Sequence, residues 1–292
     1  MLLLHERKKQ IKKVLLITLF LNLTVSTAKI IYGWLTNSVA IYSDGFHSLF
    51  DGISNMGGLI ALSIASHPPD REHPYGHRKF ETVFAIFIGV LMSLTALEII
   101  RNVYQSFIEG KKPETDEKAF IVLVFTLIVN IFVAFYEKKK GKELKSEFLI
   151  ADSAHTRSDI YITLGVIGSV TLTTFTEFYF IDPLAGLIVG VFVAREAILI
   201  IKESANILAD RTAIDGNKIV SIVETCSDVE ACRDVRTRGT AGQIFVDLKI
   251  LINPSISVSE AHDIAEKVEE LIKKEFPDVV DVVVHVEPFE KN

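Results

Sequence analysis

Two pairs of residues repeat one pattern. His47 and Asp51 stand four apart in YSDGFHSLFDGISN, and His155 and Asp159 stand four apart in ADSAHTRSD. On a helix, residues four apart project from one face. Each pair can therefore aim an imidazole nitrogen and a carboxylate oxygen at the same point. Two such pairs make a four-ligand set, which suits a tetrahedral divalent transition metal such as Zn²⁺. Asn55 continues the first spacing and reads as a polar residue at a helix contact. Asp44 reads as an acceptor for a hydrogen bond from a ligand histidine. Both pairs lie inside long apolar stretches. An uncompensated charge there costs roughly 2.5–3.5 kcal/mol even on the lenient insertion scale. A bound dication compensates both carboxylates at once.

The elements that must hold these pairs follow from hydropathy. The chain has 292 residues, 49% of them hydrophobic, and a mean hydropathy of +0.34, too apolar for an ordinary soluble protein. The formal charge of −6 shows no basic excess and gives no sign of a nucleic-acid partner. A membrane helix needs roughly 20 mostly apolar residues. Six stretches qualify: about Val14–Leu35, Val39–Ser66, Phe80–Phe107, Ala119–Tyr136, Phe148–Phe175 and Ile181–Lys202. The first is too long for a signal-peptide core and reads as a retained span. The two histidine–aspartate pairs fall on the second and fifth spans. At a rise of about 1.5 Å per residue, His47 and Asp51 lie roughly 12–18 Å below one surface. His155 and Asp159 lie roughly 10–17 Å above the other. In a core about 30 Å thick, both pairs sit near mid-depth.

Loop charges orient the spans. Arg7, Lys8, Lys9, Lys12 and Lys13 precede the first span. Arg71, Arg78 and Lys79 follow the second, and Lys138, Lys139, Lys140, Lys142 and Lys145 are read as the loop after the fourth. All fall on one side, the expected cytosol, so both termini lie inside. Lys111 and Lys112 fall on the other side, beside Glu109, Glu114, Asp116 and Glu117.

Beyond about Asn206 no run could span a bilayer. Asp215 can cap a helix to about Thr225. Strands are expected near Val229–Arg236 and Ile244–Ile252, the second alternating in FVDLKIL. Ser257 or Ser259 starts an amphipathic helix with Ala261, Ile264, Ala265, Val268, Leu271 and Ile272 on one stripe. Pro277 ends it, and Val279–Val286 is a last strand. The order α-β-β-α-β predicts a sheet with helices on one face. Cys226 and Cys232 fit no zinc or redox spacing and read as ordinary thiols.

A second cluster lies after the second span, in PDREHPYGHRKFE. Asp70, His73 and His77 offer one oxygen and two nitrogen ligands.

The chain resembles the cation diffusion facilitators along nearly its whole length. The motifs that carry the resemblance are SDGFHSLFD, DREHPYGHRKFE, HTRSD, the Asp182–Pro183 pair opening the sixth span, and LADR at Leu208–Arg211. The resemblance implies an α-helical integral membrane protein with six transmembrane helices and a C-terminal cytosolic α+β ferredoxin-like domain. It implies a homodimer that exports a divalent metal from the cytosol in exchange for protons, by alternating access. Residues 1–205 would be the transport domain, and 206–292 the metal-binding and dimerisation domain. The transport site then falls on His47, Asp51, His155 and Asp159, and a loop site on Asp70, His73 and His77. A charge interlock that stabilises the dimer falls on Lys79 and Asp210. Ligands in the cytosolic domain fall on Asp247, His262, His285 and Glu287. Arg233 stands where some members carry a histidine just before DVRTR. A guanidinium cannot ligate a metal, so one cytosolic metal per chain is expected.

The residues themselves support exchange. Metal binding needs neutral imidazole and ionised carboxylate, so affinity falls with pH. A histidine changes charge near neutral pH. Two His and two Asp favour Zn²⁺, with Cd²⁺, Co²⁺ and Fe²⁺ fitting the same donors. The metal is both substrate and ligand, and no organic cofactor is expected. A metal-gated channel or sensor is a rival reading. An intramembrane metalloenzyme is disfavoured, because HExxH is missing and four ligands close the site. The chain has no GxxxxGK[ST], which argues against an ATP-driven pump. The expected setting is a bacterial or archaeal plasma membrane.

Overall fold

The structure is a computed structural model that describes residues 2–36, 49, 52, 55–109, 117–176 and 181–290. His47 and Asp51 of the first pair, and Asp44, lie outside the described residues. The chain divides into two units, Met1–Ser204 and Ala205–Asn292.

The first unit is helical: α1 (Leu2–Thr36), α2 (Asn55–Ala65), α3 (Lys79–Glu109), α4 (Glu117–Glu143), α5 (Glu147–Thr176) and α6 (Ile181–Leu208). Among the described residues, four stretches are long and apolar enough to cross a membrane: Glu6–Ile31, Lys79–Gln105, Phe120–Glu143 and Pro183–Leu208. The outward faces are apolar, with Phe20 and Ile121 each 70% exposed and Phe135 75% exposed. Helix α5 has 30 residues, enough for a span, but is not among the four. Its first half carries Glu147, Asp152, His155, Arg157 and Asp159. Asp152 and His155 face inward, in a stretch from Ala151 to Thr156 that is buried all round the helix, while Glu147, Arg157 and Asp159 are half-buried.

Helix α1 takes in the basic N-terminal flank and is helical from Leu2. One expectation is corrected here: the lysines Lys138, Lys139, Lys140 and Lys142 do not form a loop. They lie on the last turns of α4, and only Leu144, Lys145 and Ser146 separate α4 from α5. Lysine is a good helix former, and a cationic last turn complements the helix dipole, so the helix runs on past the apolar stretch.

Helix α5 packs between α3 and α4, and α1 packs on α4. Ile11, Val14 and Leu15 of α1 meet Leu62 of α2, Ile88 and Met92 of α3, and Phe148 and Leu149 of α5. Gly58 permits this crossing: a Cβ there would stand 2.2 Å from the Phe148 ring. Helix α6 ends in a left-handed turn. Asp210 has φ of 55°, and the Arg211 N–H donates to the Asn206 carbonyl at 2.9 Å.

The second unit is α7 (Gly216–Val223), β1 (Ala231–Thr240), β2 (Gln243–Ile252), α8 (Val258–Glu275) and β3 (Val279–Pro288). The sheet order is β1-β2-β3, with β1 antiparallel and β3 parallel to β2. Asp215 caps α7, accepting from the Asn217 N–H at 3.0 Å. Ser257 caps α8 in a reciprocal box with Glu260. Ile219 and Val223 of α7 and Ile264, Val268 and Ile272 of α8 pack on Val246, Leu248, Ile250 and Val282. Both helices therefore cover one face, the ferredoxin-like α+β arrangement. Strand β1 runs to Thr240, past the expected end at Arg236. It carries a register shift between Arg233 and Arg236, where Asp234 has φ of 52°. Gly239 holds the following turn: it has φ of 128°, and a Cβ would stand 2.2 Å from the Gln243 carbonyl oxygen.

Candidate metal centres

Helix α5 presents His155 and Asp159 together, with His155 Nδ1 3.9 Å from Asp159 Oδ2. His155 is buried, and both residues have further partners in the structure. One turn towards the N-terminus, Asp152 is buried as well. Its Oδ2 lies 2.7 Å from the Asn55 amide; because a carboxylate oxygen only accepts, the amide nitrogen must face it. The Asn55 amide oxygen then accepts from the Leu19 N–H at 3.1 Å and from Thr18 Oγ1 and Asn22 Nδ2 at 3.2 Å. Asn55 thus ties α2 to α1 and α5. The Thr156 hydroxyl lies 3.4 Å from Glu137 Oε2, which brings α4 into the same polar interior. Arg157 pairs with Glu196 of α6 at 3.3 Å.

The loop between α2 and α3 gathers Asp70, His73 and His77, whose ligand atoms all lie within 4.8 Å of one another. The local backbone explains how. Asp70 Oδ1 accepts the N–H groups of His73 at 2.6 Å and Glu72 at 2.9 Å, an Asx turn that folds the loop back. The other oxygen, Oδ2, is left facing His77 Nε2 at 3.3 Å, while His73 Nδ1 lies 3.4 Å from Oδ1. Ligand atoms about 2.0–2.1 Å from a tetrahedral metal stand about 3.3 Å apart, so this spacing fits one ion. The His73 N–H holds the Asp70 carboxyl below its usual range against some desolvation. The Glu72 N–H and the two imidazoles add to it. Asp70 is therefore an ionised acceptor at neutral pH. His73 Nδ1 and His77 Nδ1 are buried without a hydrogen-bond partner. Phe80 stacks on His77 at 5.9 Å and meets His73 edge-on at 5.7 Å.

In the second unit the four expected ligands do not converge within one chain. Asp247, His285 and Glu287 share the open face of the sheet, since Val246, Leu248, Val284 and Val286 point to the helices. His285 Nε2 lies 3.4 Å from Glu287 Oε1. His262 stands on α8 in the other layer, 3.3 Å from Glu266. A residue that motif reading missed lies between the ligands. Lys249 Nζ pairs with Glu287 at 3.0 Å and Asp234 at 3.1 Å, and it is registered opposite His285. Glu287 first, and then Asp234, raise the Lys249 pKa. The alternation in FVDLKIL already put Lys249 on the Asp247 face, which was the available signal. Cys232 is inert: burial pushes its thiol up to about 11.

Lys79 opens α3 and Asp210 follows α6. On α3, Glu81, the last residue of DREHPYGHRKFE, centres a network to which the motif assigned no role and which ties helix ends together. Arg7 donates to both Glu81 oxygens at 2.7 and 3.0 Å, to the Leu144 carbonyl at 2.8 Å and to the Lys145 carbonyl at 3.1 Å. The Ser146 hydroxyl donates to Glu81 Oε2 at 2.7 Å, and Thr82 bonds Glu147. Among the described residues, Asp70, His73 and His77 are the one assembled group of three potential metal ligands.

Comparison with known proteins bears on both units. The model of a cation efflux transmembrane domain matches residues 15–209, and that of a cation efflux protein cytoplasmic domain matches residues 212–289. An uncharacterized transporter of Methanocaldococcus jannaschii is 32% identical over 260 residues, covering 88% of this chain and 91% of its own. The manganese efflux system protein MneS of Bacillus subtilis is 28% identical, covering 98% of this chain and 99% of its own. MneP of the same organism, also named a manganese efflux system protein, is 26% identical over 97% of this chain and 98% of its own.

Proposed function

This chain belongs to the cation diffusion facilitator family, the cation efflux proteins, and on that footing we propose that it exports Zn²⁺ in exchange for protons. It is a multi-pass membrane protein, a dimeric divalent-metal exporter and not an enzyme. The finer reading places the transport site on His155 and Asp159 of α5 with His47 and Asp51 of the second span. The observation that carries it is the His155–Asp159 pair, with His155 buried and Asp159 half-buried, on a helix buried all round from Ala151 to Thr156. A neutral imidazole and an ionised carboxylate hold the dication from the cytosolic side. On the more acidic side protons take the same lone pairs, and the metal leaves. Residues 1–205 act as the transport domain and 206–292 as the cytosolic domain, with both termini inside a plasma membrane.

The loop site on Asp70, His73 and His77 serves as a second metal position. In the cytosolic domain one metal per chain is proposed, anchored by His285 and Glu287 with Asp247 on the same face. A metal there must displace Lys249 from Glu287. His262, on the other layer, joins the set only through another copy of the chain. Lys79 and Asp210 are proposed as the dimer's charge interlock.

The test is metal uptake into inverted vesicles, with a pH-sensitive dye recording protons. Asp159→Ala is expected to reduce uptake at least a hundredfold while the protein still folds. Native uptake in that variant would remove the site, and uptake without proton counterflow would remove exchange.

A second reading, Mn²⁺ export, is favoured by the names of the relatives MneS and MneP. Imidazole ligands argue for Zn²⁺, since Mn²⁺ suits oxygen donors. His47→Asp is expected to shift the Zn²⁺:Mn²⁺ transport ratio at least tenfold towards Mn²⁺. An unchanged ratio would count against His47 as a ligand.

A further inference from the structure

We propose that His67 is the fourth ligand of the loop site, which turns an open three-ligand group into a closed tetrahedral position for an imidazole-preferring dication. The inference rests on the reading of Asp70, His73 and His77 as metal ligands.

Three ligands leave a tetrahedral ion with one open position, whereas closed sites take four. His67 is placed to fill it. It sits just past the last turn of α2, where its backbone N–H donates to the Ile64 carbonyl at 3.0 Å. Pro68 and Pro69 follow, and their fixed φ stiffens the segment that leads to Asp70. The His67 ring lies with its centroid 5.8 Å from that of His77, and His77 lies 4.4 Å from His73. Imidazoles bound to one tetrahedral metal have ring centres roughly 5 Å apart, given metal–nitrogen bonds of about 2.0–2.1 Å. The two separations bracket that value; His67 lies outside the group whose ligand atoms already stand within 4.8 Å of one another, so its exposed side chain must swing in to share the ion.

The contact with Ile64 selects one tautomer for the bond. His67 Nδ1 lies 3.1 Å from the Ile64 carbonyl oxygen. A carbonyl only accepts, so Nδ1 carries the proton, and in the neutral ring the lone pair is on Nε2. Metal-binding histidines commonly use this arrangement, in which one ring nitrogen donates to a backbone carbonyl and the other binds. His67 is solvent-exposed, so its Nε2 can reach an arriving ion without unfolding the loop. The resulting set of three imidazoles and one carboxylate favours Zn²⁺ or Co²⁺ over Mn²⁺.

The probe is Co²⁺, whose visible absorption reports tetrahedral binding. The full chain is used in detergent with Asp159→Ala and His285→Ala, which disable the other two proposed sites. One tetrahedral Co²⁺ per chain is expected. In that background His67→Ala should weaken binding at least tenfold and lower the imidazole count at Co²⁺ from three to two by X-ray absorption. His67→Asp, which keeps a ligand atom, should recover most of the affinity. Asp70→Ala should abolish the signal. Unchanged affinity and imidazole count in His67→Ala, with loss in Asp70→Ala, would overturn the His67 assignment and leave the loop site standing. A signal indifferent to Asp70→Ala would remove the loop site, and His67 with it.

Discussion

The two units bury different things. In the membrane unit the buried interior holds Thr18, Asn55, Glu81, Glu137, Asp152, His155 and Ser158 beside an apolar cluster, while Phe20, Ile121 and Phe135 face outward. In the cytosolic unit Ile219, Leu248, Ile250, Val268 and Ile272 are buried, and the charged residues lie outside. The contrast teaches where each unit takes its specificity. Lipid exerts no hydrophobic pull between apolar helices, so packing and buried polar bonds decide how α1 to α6 meet. Water does exert that pull on the tail, and apolar area decides its fold. A polar interior is also the only interior that can carry a metal and protons.

The comparison can be broken by removing one element of each interior. The largest effect is expected in the membrane unit. Arg7→Ala leaves Glu81, whose side chain is 4% exposed, without its bidentate partner. Stranding a buried charge in this way costs about 3–5 kcal/mol. Thermal unfolding in detergent should show it, and a loss below about 1 kcal/mol would mean that water already serves Glu81. The next effect belongs to the tail. Ile250 is fully buried in the sheet, and Ile250→Ala should cost about 2–5 kcal/mol by denaturant unfolding. If the polar deletion were the milder of the two, the contrast between the interiors would fail.

The smallest effect lies at the surface of the tail. Ser257→Ala removes the cap of α8 and should cost about 1 kcal/mol. The cap also has a pH signature. Bonds from the Ser257 N–H and hydroxyl lower the Glu260 pKa. A group with a depressed folded value adds stability above its unfolded value and loses it as pH falls through the folded one. Native protein should therefore lose the Glu260 share of the capping box in acid, and Ser257→Ala, which removes the hydroxyl bond but keeps the larger bond from the backbone N–H, should flatten that part of the stability–pH curve only in part.

Legibility in the sequence followed the same divide. Where a local rule decides the structure, the sequence showed it: Asp215 caps the helix it was expected to cap, Ser257, one of two expected serines, caps the other, and FVDLKIL alternates as β2. The polar span was visible because four-residue spacing is a helical property of α5 alone. Strand β1 was read too short because RTRGT has no apolar alternation, and its pairing comes from β2. Thr237 shows why such a residue belongs there: it accepts the N–H groups of Ala213 and Ile214 and donates to the Ile214 carbonyl, fastening the segment before α7. The contacts among Arg7, Glu81 and Ser146 were silent for another reason. These residues lie 74 and 65 positions apart, and only the folded helix ends bring them together.

The turn at Asp210 sets the terms on which the proposed interlock with Lys79 can be probed. Its backbone is left-handed, a conformation that Asp and Asn tolerate and most side chains do not. A Lys or Arg at this position would change the charge and also strain the peptide that ends α6. Any loss of transport would then have two causes that no compensating change at Lys79 could separate. Asp210→Asn keeps the handedness and the shape while removing only the charge. It is the substitution in which stereochemistry is silent, so that whatever changes is electrostatic.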